Sequence, residues 1–196
     1  MASKTTGLPA LALLAALGGC SGGESLRSTL DDRGTTWVSA TSIVTLARPV
    51  PRFSAAARDY LYVAPLEVNR MGALRHYLWV GLGTTVDRAW QAAAPATAAT
   101  LVVKLDGVPV VLPLGAWDVR FTPEPYSTPA PVYQVLRAAV SQDQLARLAD
   151  ARSIEVQVIA DDGTAARYEL WHGAWSDLRA FIARVAPQTL GAAATP

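Results

Sequence analysis

The strongest constraint on the fold of this chain is a hairpin signal near its middle. The dipeptide Asp106-Gly107 separates two mainly apolar runs of β-forming residues. This arrangement predicts a two-residue turn with positive φ at both positions, and hence a β-hairpin. Proline cannot donate to a strand ladder, so Pro109 and Pro113 predict that the returning strand lies at a sheet edge.

Alternation of period two predicts further strands on both sides of this hairpin. They cover residues 37–47, 59–68, 74–82, 132–139, 153–159 and 167–171. The strands 59–68 and 74–82, with a turn at 69–72 between them, are apolar on both faces. That pattern is typical of central strands, or of a sheet that is covered on both sides.

Two helices are predicted in the C-terminal third of the chain. Ser141 and Gln144 have the spacing of a capping box, and an apolar helical stripe follows to about Ala151. Apolar residues again recur at helical spacing from Trp175 to Val185. We therefore expect an α+β fold of mostly antiparallel β-hairpins with two C-terminal helices. A β-sandwich with helical decoration is the alternative.

The composition of the chain limits its class. With 196 residues, 51% of them hydrophobic and 17% charged, it is long enough and apolar enough to form one buried core. The net charge is only +1, from 17 basic and 16 acidic residues, so no overall field attracts nucleic acid. A single cysteine excludes an intramolecular disulfide framework.

The amino terminus has the layout of a secretory signal. Lys4 and the terminal amine precede an uncharged stretch, residues 7–19, which is rich in Leu and Ala. Thirteen helical residues rise only about 20 Å, which is too short for the ~30 Å hydrocarbon core of a membrane.

This stretch ends in Leu17-Gly18-Gly19-Cys20, which resembles the lipobox of bacterial lipoproteins. The resemblance covers only the first 20 residues or so and implies no fold for the rest of the chain. It implies cleavage before Cys20, lipidation of its sulfur and acylation of its new amine. Ser21 at the next position resembles the pattern of lipoproteins that are sent to the outer membrane. A lipid-anchored protein on the periplasmic side of a Gram-negative outer membrane is therefore expected.

Four segments follow from these patterns. Residues 1–19 are predicted as a signal peptide and residues 20–36 as a lipidated flexible tether. Residues 37–187 are predicted as a single globular domain, and residues 188–196 as a flexible tail.

A search for catalytic motifs finds no assembled set. No Gly-x-Ser-x-Gly elbow occurs, and Cys20 is assigned to the anchor. The two histidines, His76 and His172, stand far apart, and the spacing of the acidic residues singles out no pair. The sequence therefore predicts no catalytic residue, no metal site and no cofactor, and leaves open whether the protein is an enzyme.

Two clusters are the candidates for ligand binding. Trp171, His172 and Trp175 are grouped at a turn, where the tryptophans can form a platform for a sugar or a peptide. Tryptophans at such a turn more often close a core. Arg70 and Arg75 flank another turn and can converge on a phosphate or a carboxylate.

These observations favour a non-catalytic, envelope-anchored accessory or binding protein. It would contact a protein partner through sheet edges or the proline-rich segment 122–131. A small envelope hydrolase, or a sugar- or peptide-binding protein using His76 or His172 beside an acid, is the alternative. A wall-tethering role on peptidoglycan lies between the two.

Overall fold

We describe a computed structural model of the chain, which covers residues 26–31, 34–86, 97–117, 126–173 and 175–185. The predicted signal peptide, Cys20 and the predicted tail lie outside the described residues.

Ten strands and two helices make up the described fold. The first five strands are β1 (Leu26–Leu30), β2 (Thr35–Ala40), β3 (Val44–Pro49), β4 (Arg58–Arg70) and β5 (Ala73–Thr84). The next three are β6 (Ala98–Leu105), β7 (Val108–Ala116) and β8 (Val132–Val140). Helix α1 (Gln142–Asp150), β9 (Ile154–Ala160), β10 (Ala165–His172) and helix α2 (Trp175–Val185) complete the fold.

Eight of the strands close into an antiparallel barrel. The order around it is β3-β4-β5-β8-β7-β6-β9-β10, and β10 pairs with β3 to complete the circuit. Strands β1 and β2 extend the sheet from the protruding half of β4. The prediction of a general α+β fold is therefore wrong, and so is the sandwich alternative, because the strands form one continuous closed sheet with two short helices.

One predicted local element is observed as expected, and two others differ from the prediction. The Asp106-Gly107 hairpin is confirmed, with φ of 50° and 85° at the two turn residues. The strand predicted over 37–47 is two strands, β2 and β3. Strand β1 lies inside the range 20–36 that the sequence predicts to be a tether.

Strand β7 is an edge along only part of its length. Over Val108–Pro113 it pairs with β6 alone, and Leu114–Ala116 also pairs with β8. Both prolines of the strand lie in the part that has one neighbour, as the missing proline N–H requires.

The barrel interior is filled by alternate residues of its strands. Leu61 and Val63 of β4 belong with Leu101 and Val103 of β6 to one buried cluster. An eight-stranded barrel has an interior just wide enough for side chains to fill it. The apolar faces of β4 and β5 that turn inward are explained by this cluster.

Both helices close the same end of the barrel. Strands β8 and β10 run in the same direction, so α1 and α2, which follow them, start from that end. Leu145 and Leu148 of α1 and Phe181 of α2 join the interior cluster. The predicted capping box is confirmed, because Ser141 Oγ accepts from Gln144 N at 3.1 Å and Ser141 N donates to Gln144 Oε1 at 2.8 Å.

An ion pair between buried Asp59 and half-buried Arg48 occupies the opposite end. Asp59 is 1% exposed, and its Oδ2 accepts from Arg48 Nε at 3.1 Å and from Nη2 at 2.8 Å. The Arg48 guanidinium also lies 5.6 Å from the centroid of the Tyr168 ring. A charge-assisted pair with both nitrogens on one carboxylate is the arrangement that makes burial of Asp59 tolerable.

We call the outward face of β4 and β5, which carries Tyr62, Trp79 and Gly81, the outer wall. A substitution on it tests how tightly its side chains are packed. A Cβ on Gly81 would lie 2.7 Å from Cη2 of Trp79, which is itself fully buried. We expect Gly81→Ala to lower the free energy of unfolding by about 1–3 kcal/mol through overpacking, measured by urea titration of the full chain. The matched control is Gly115→Ala, whose Cβ meets only Arg137 O at 4.0 Å. That variant should change stability by less than about 0.5 kcal/mol; equal losses in both variants would contradict the packing described.

Candidate functional site

Residues 126–131, the described part of the proline-rich segment 122–131, cover part of the outer wall. Tyr126 packs against Trp79 with the ring centroids 5.4 Å apart, and both belong to a second buried cluster with Tyr62. The hydroxyl of Tyr62 accepts from Ala130 N at 3.2 Å. These contacts explain why the outward faces of β4 and β5 are also apolar.

The hydroxyl of Tyr126 joins two strands of the sheet. It donates to Pro65 O in β4 and accepts from Ala40 N at the end of β2, at 3.1 Å. Burial raises the pKa of Tyr126 well above its usual 10.0, although the hydrogen bond from Ala40 acts in the opposite direction. The residue therefore stays neutral and fixes the segment against the wall.

A cleft lies beside Tyr126 on this wall, and we call it the outer cleft. Its volume is about 450 Å³. It is lined by Arg27, Ala40, Thr41, Ser42, Ile43, Thr45, Tyr126, Ser127, Pro129, His172 and Gly173. Arginine, histidine and hydroxyl groups thus stand beside apolar surface, and no aspartate or glutamate is among the described residues that line the cleft.

The two wall segments of the outer cleft approach closely at Gly173. This glycine has a φ of +82°, and a Cβ there would lie 2.8 Å from Ile43 O. Both the backbone angle and the contact require glycine. The turn at Gly173 therefore brings His172 next to the β2–β3 connection.

The structure separates the predicted cluster of Trp171, His172 and Trp175. His172 lines the outer cleft, whereas Trp175 is half-buried against the interior cluster. Trp171 is 58% exposed and lies under the guanidinium of Arg58, 5.7 Å from the ring centroid. The two tryptophans do not form one platform, because the turn between them lies at the end of β10. Trp171 is on the outside of the barrel, whereas Trp175 begins α2 at the end of the barrel.

Arg70 and Arg75 do share one face of the β4–β5 hairpin. Arg70 is opposite Ala73, so Arg75 is its diagonal neighbour two residues along β5. Both side chains are exposed, and they flank the turn residue Met71, which is 91% exposed. They form an open basic tip, and Arg75 lines the same cleft as His76.

His76 has an acidic partner that the sequence analysis did not identify. It lies opposite Glu67 in the β4–β5 register, and His76 Nε2 is 3.0 Å from Glu67 Oε2. His76 is 8% exposed and lines a cleft of about 520 Å³ together with Ser141. The predicted turn over 69–72 places Leu74 opposite Glu67, whereas the observed turn at Met71-Gly72 shifts the register and places His76 there.

Strand β1 has a free edge. It pairs with β2 on one side, and no other described strand pairs with it. Four of its five residues are exposed. At its N-terminal end Arg27 lines the outer cleft, so the edge and the cleft adjoin.

Comparisons with known proteins do not extend this description. No protein-family model, no curated protein and no solved structure matches the chain. Among the described residues, no group of three or more His, Cys, Asp or Glu residues is arranged to hold a metal ion. None of the helices in the described part of the chain is long and apolar enough to cross a membrane.

The Tyr126 hydroxyl provides a test of the wall that bounds the outer cleft. We expect Tyr126→Phe to lower the free energy of unfolding by about 1–3 kcal/mol, because Ala40 N–H and Pro65 C=O lose a buried partner. The loss should also depend on pH. The folded-state pKa is raised, so the unfolded chain releases this proton first, and the stability of the wild type falls above about pH 10.

Urea titrations at neutral pH and above pH 10 measure both effects. Below pH 10 the difference between wild type and Tyr126→Phe should be constant. Above it the difference should narrow by up to about 1.4 kcal/mol per pH unit. Tyr60→Phe is the control, because Tyr60 lies on the same wall but is only half-buried. A constant difference at every pH would contradict the buried, neutral role of Tyr126.

Proposed function

We propose that this chain is a lipid-anchored cell-envelope protein, a non-catalytic accessory that binds an extended segment of a partner protein by strand addition to β1. The observation that carries the proposal is the free edge of β1. An open strand edge is a ready template for an extended chain, which then gains main-chain hydrogen bonds.

The hydrogen-bond pattern identifies which residues face the open side. Asp31 N donates to Thr35 O at 2.9 Å, next to the end of β1. Hydrogen-bonded pairs alternate along an antiparallel ladder, so Thr29 and Arg27 are the β1 residues bonded to β2. The N–H and C=O groups of Ser28 and Leu30 therefore point away from β2, and no other described strand pairs with them.

The contrast with β7 favours β1 as the docking edge. The open part of β7 carries Pro109 and Pro113, and proline is a common device that blocks edge pairing. Strand β1, with the sequence Leu-Arg-Ser-Thr-Leu, carries no proline. One open edge is thus protected against strand addition and the other is not.

The packing of the barrel also favours binding on the outside. Apolar side chains fill the interior, and the two helices extend the same cluster across one end. The described interior is a core, so a partner is left with the outer wall and the edges.

The anchor part of the proposal rests on Leu17-Gly18-Gly19-Cys20. Only five residues separate Cys20 from Leu26, the first residue of β1. A chain of that length spans roughly 20 Å when fully extended. Lipidation of Cys20 would therefore hold the β1 edge near the membrane surface, where two or three acyl chains keep a protein almost permanently.

Removal of Cys20 tests the anchor. We expect Cys20→Ala to yield a soluble or uncleaved protein that incorporates no labelled palmitate, whereas the wild type is labelled and sediments with membranes. Ser21→Ala, which keeps the cysteine, is the control and should be labelled like the wild type. Equal labelling of Cys20→Ala and the wild type would refute lipidation at this residue.

A proline in β1 tests strand addition. Ser28→Pro removes an N–H that faces the open side, whereas Ser28→Ala removes the hydroxyl and keeps that N–H. We expect a partner that is cross-linked to the wild type in solubilised envelopes to be retained by Ser28→Ala and lost by Ser28→Pro. Hydrogen exchange at the Ser28 and Leu30 amides should slow when the partner binds.

Two further measurements complete this test. Ser28→Pro should melt close to the wild type, because its N–H is not bonded to β2, whereas Thr29→Pro should be destabilised. A partner that binds Ser28→Pro as well as the wild type would exclude strand addition at this edge. Co-sedimentation with peptidoglycan that Ser28→Pro leaves unchanged would instead favour wall tethering.

A hydrolase that uses His76 and Glu67 is the second candidate, because the two side chains are 3.0 Å apart beside a cleft. It ranks lower because Ser141, the aliphatic hydroxyl among the described residues that line this cleft, is already engaged in the cap of α1. Ser28→Pro does not touch this pair, so the test of strand addition separates the two functions.

A further inference from the structure

The outer cleft lies at one defined end of the β1 edge. Arg27, the second residue of β1, lines it, and so do residues 40–43, which follow β2. Arg27 is opposite Ser39, and Ser39 is opposite Leu66 on the outward face of β4. The side chain of Arg27 therefore belongs to the outer face, on the same side of the sheet as Tyr126.

The charge of the outer cleft selects the kind of ligand. Arg27 and His172 are its basic side chains, and none of its eleven lining residues is acidic. Thr41, Thr45 and Ser127 place hydroxyl groups around the same space. Tyr126 is neutral and its hydroxyl is engaged with Ala40 and Pro65, so it forms a wall rather than a charged contact. A small anionic group is the complement of such a lining.

All the described strand pairs are antiparallel, so we take antiparallel pairing for the added segment as well. A segment that adds antiparallel to β1 runs from Leu30 toward Leu26, so its C-terminal end arrives at the outer cleft. We propose that the outer cleft binds the terminal carboxylate of the partner segment, with Arg27 as the principal contact and His172 as the second. The proposal rests on strand addition to β1 and adds that the partner is recognised by its free C-terminus.

The size of the outer cleft fits this assignment. A volume of about 450 Å³ accommodates a carboxylate together with one or two terminal side chains, and it lies within the ordinary range for ligand sites. The apolar surface of Ile43 and Pro129 then contacts those side chains. Main-chain pairing along β1 supplies affinity, and the cleft supplies selection for chain ends.

Peptide libraries test the inference with a defined probe. One array carries random ten-residue peptides with a free C-terminal carboxylate, and a second carries the same peptides as C-terminal amides. For the peptide that binds the full-length protein best, we expect amidation to weaken binding by about tenfold or more, since one charge-assisted contact is lost.

Three variants show which residue causes the loss of affinity on amidation. Arg27→Gln should weaken binding of the free-acid peptide by about tenfold and leave binding of the amide unchanged. Arg75→Gln, an exposed arginine at the hairpin tip, should change neither. Ser28→Pro should weaken both forms, because it acts on main-chain pairing.

Each pattern of results has a distinct meaning. If acid and amide bind equally and Ser28→Pro abolishes both, the carboxylate assignment is wrong and strand addition stands. If inorganic phosphate displaces the acid peptide from the wild type but equally from Arg27→Gln, the cleft is not the carboxylate site. If no peptide on either array binds, the carboxylate assignment and strand addition both fail.

A spectroscopic readout locates the bound carboxylate. The chain has only two histidines, so their imidazole signals are distinguished by one substitution. We expect the free-acid peptide to shift the His172 signals and to leave the buried His76 unchanged, and the bound amide, which carries no charge, to shift the His172 signals less. A shift at His76 alone would overturn the assignment.

Discussion

The packing of alternate strand residues into the barrel interior is the constraint on which the other features depend. Eight strands enclose just enough space for side chains. The described interior is therefore filled by a hydrophobic core that includes Leu61 and Leu101. The helices extend that core across one end, and the Arg48–Asp59 pair occupies the other. Polar side chains that could bind a ligand therefore lie on the outer wall, on the protruding part of the β4–β5 hairpin and at the strand edges.

Local interactions made part of the fold predictable from the sequence. The Asp106-Gly107 turn, the Ser141 capping box and the range of α2 each depend on residues a few positions apart. Barrel closure depends instead on pairing between distant segments, such as β10 with β3 and β5 with β8. Period two is the same in a hairpin stack, a sandwich and a barrel, so periodicity could not distinguish them.

The candidate site was predictable to a smaller degree. The sequence predicts the β4–β5 hairpin but not its register: the predicted turn over 69–72 places Leu74 opposite Glu67, whereas the observed turn at Met71-Gly72 places His76 there. The separation of Trp171 from Trp175 could not be predicted from the sequence, because it depends on the positive φ of Gly173 and on its close approach to Ile43. The outer cleft joins Arg27 to His172 across 145 positions of sequence, and no local pattern signals such a contact.

The open edge of β1 lies close in sequence to Cys20, and this position bears on the proposed function. An open edge strand in a freely diffusing protein invites pairing with any extended chain, which is why edges commonly carry proline, as the open part of β7 does. In the proposed arrangement Cys20 confines β1 to a layer roughly 20 Å from the membrane, so the edge meets mainly partners that are also anchored there. Confinement raises the effective concentration of such partners, and a weak main-chain pairing then suffices for binding. A requirement for a free carboxylate at Arg27 would add the selectivity that backbone hydrogen bonds lack, because internal segments carry no such charge.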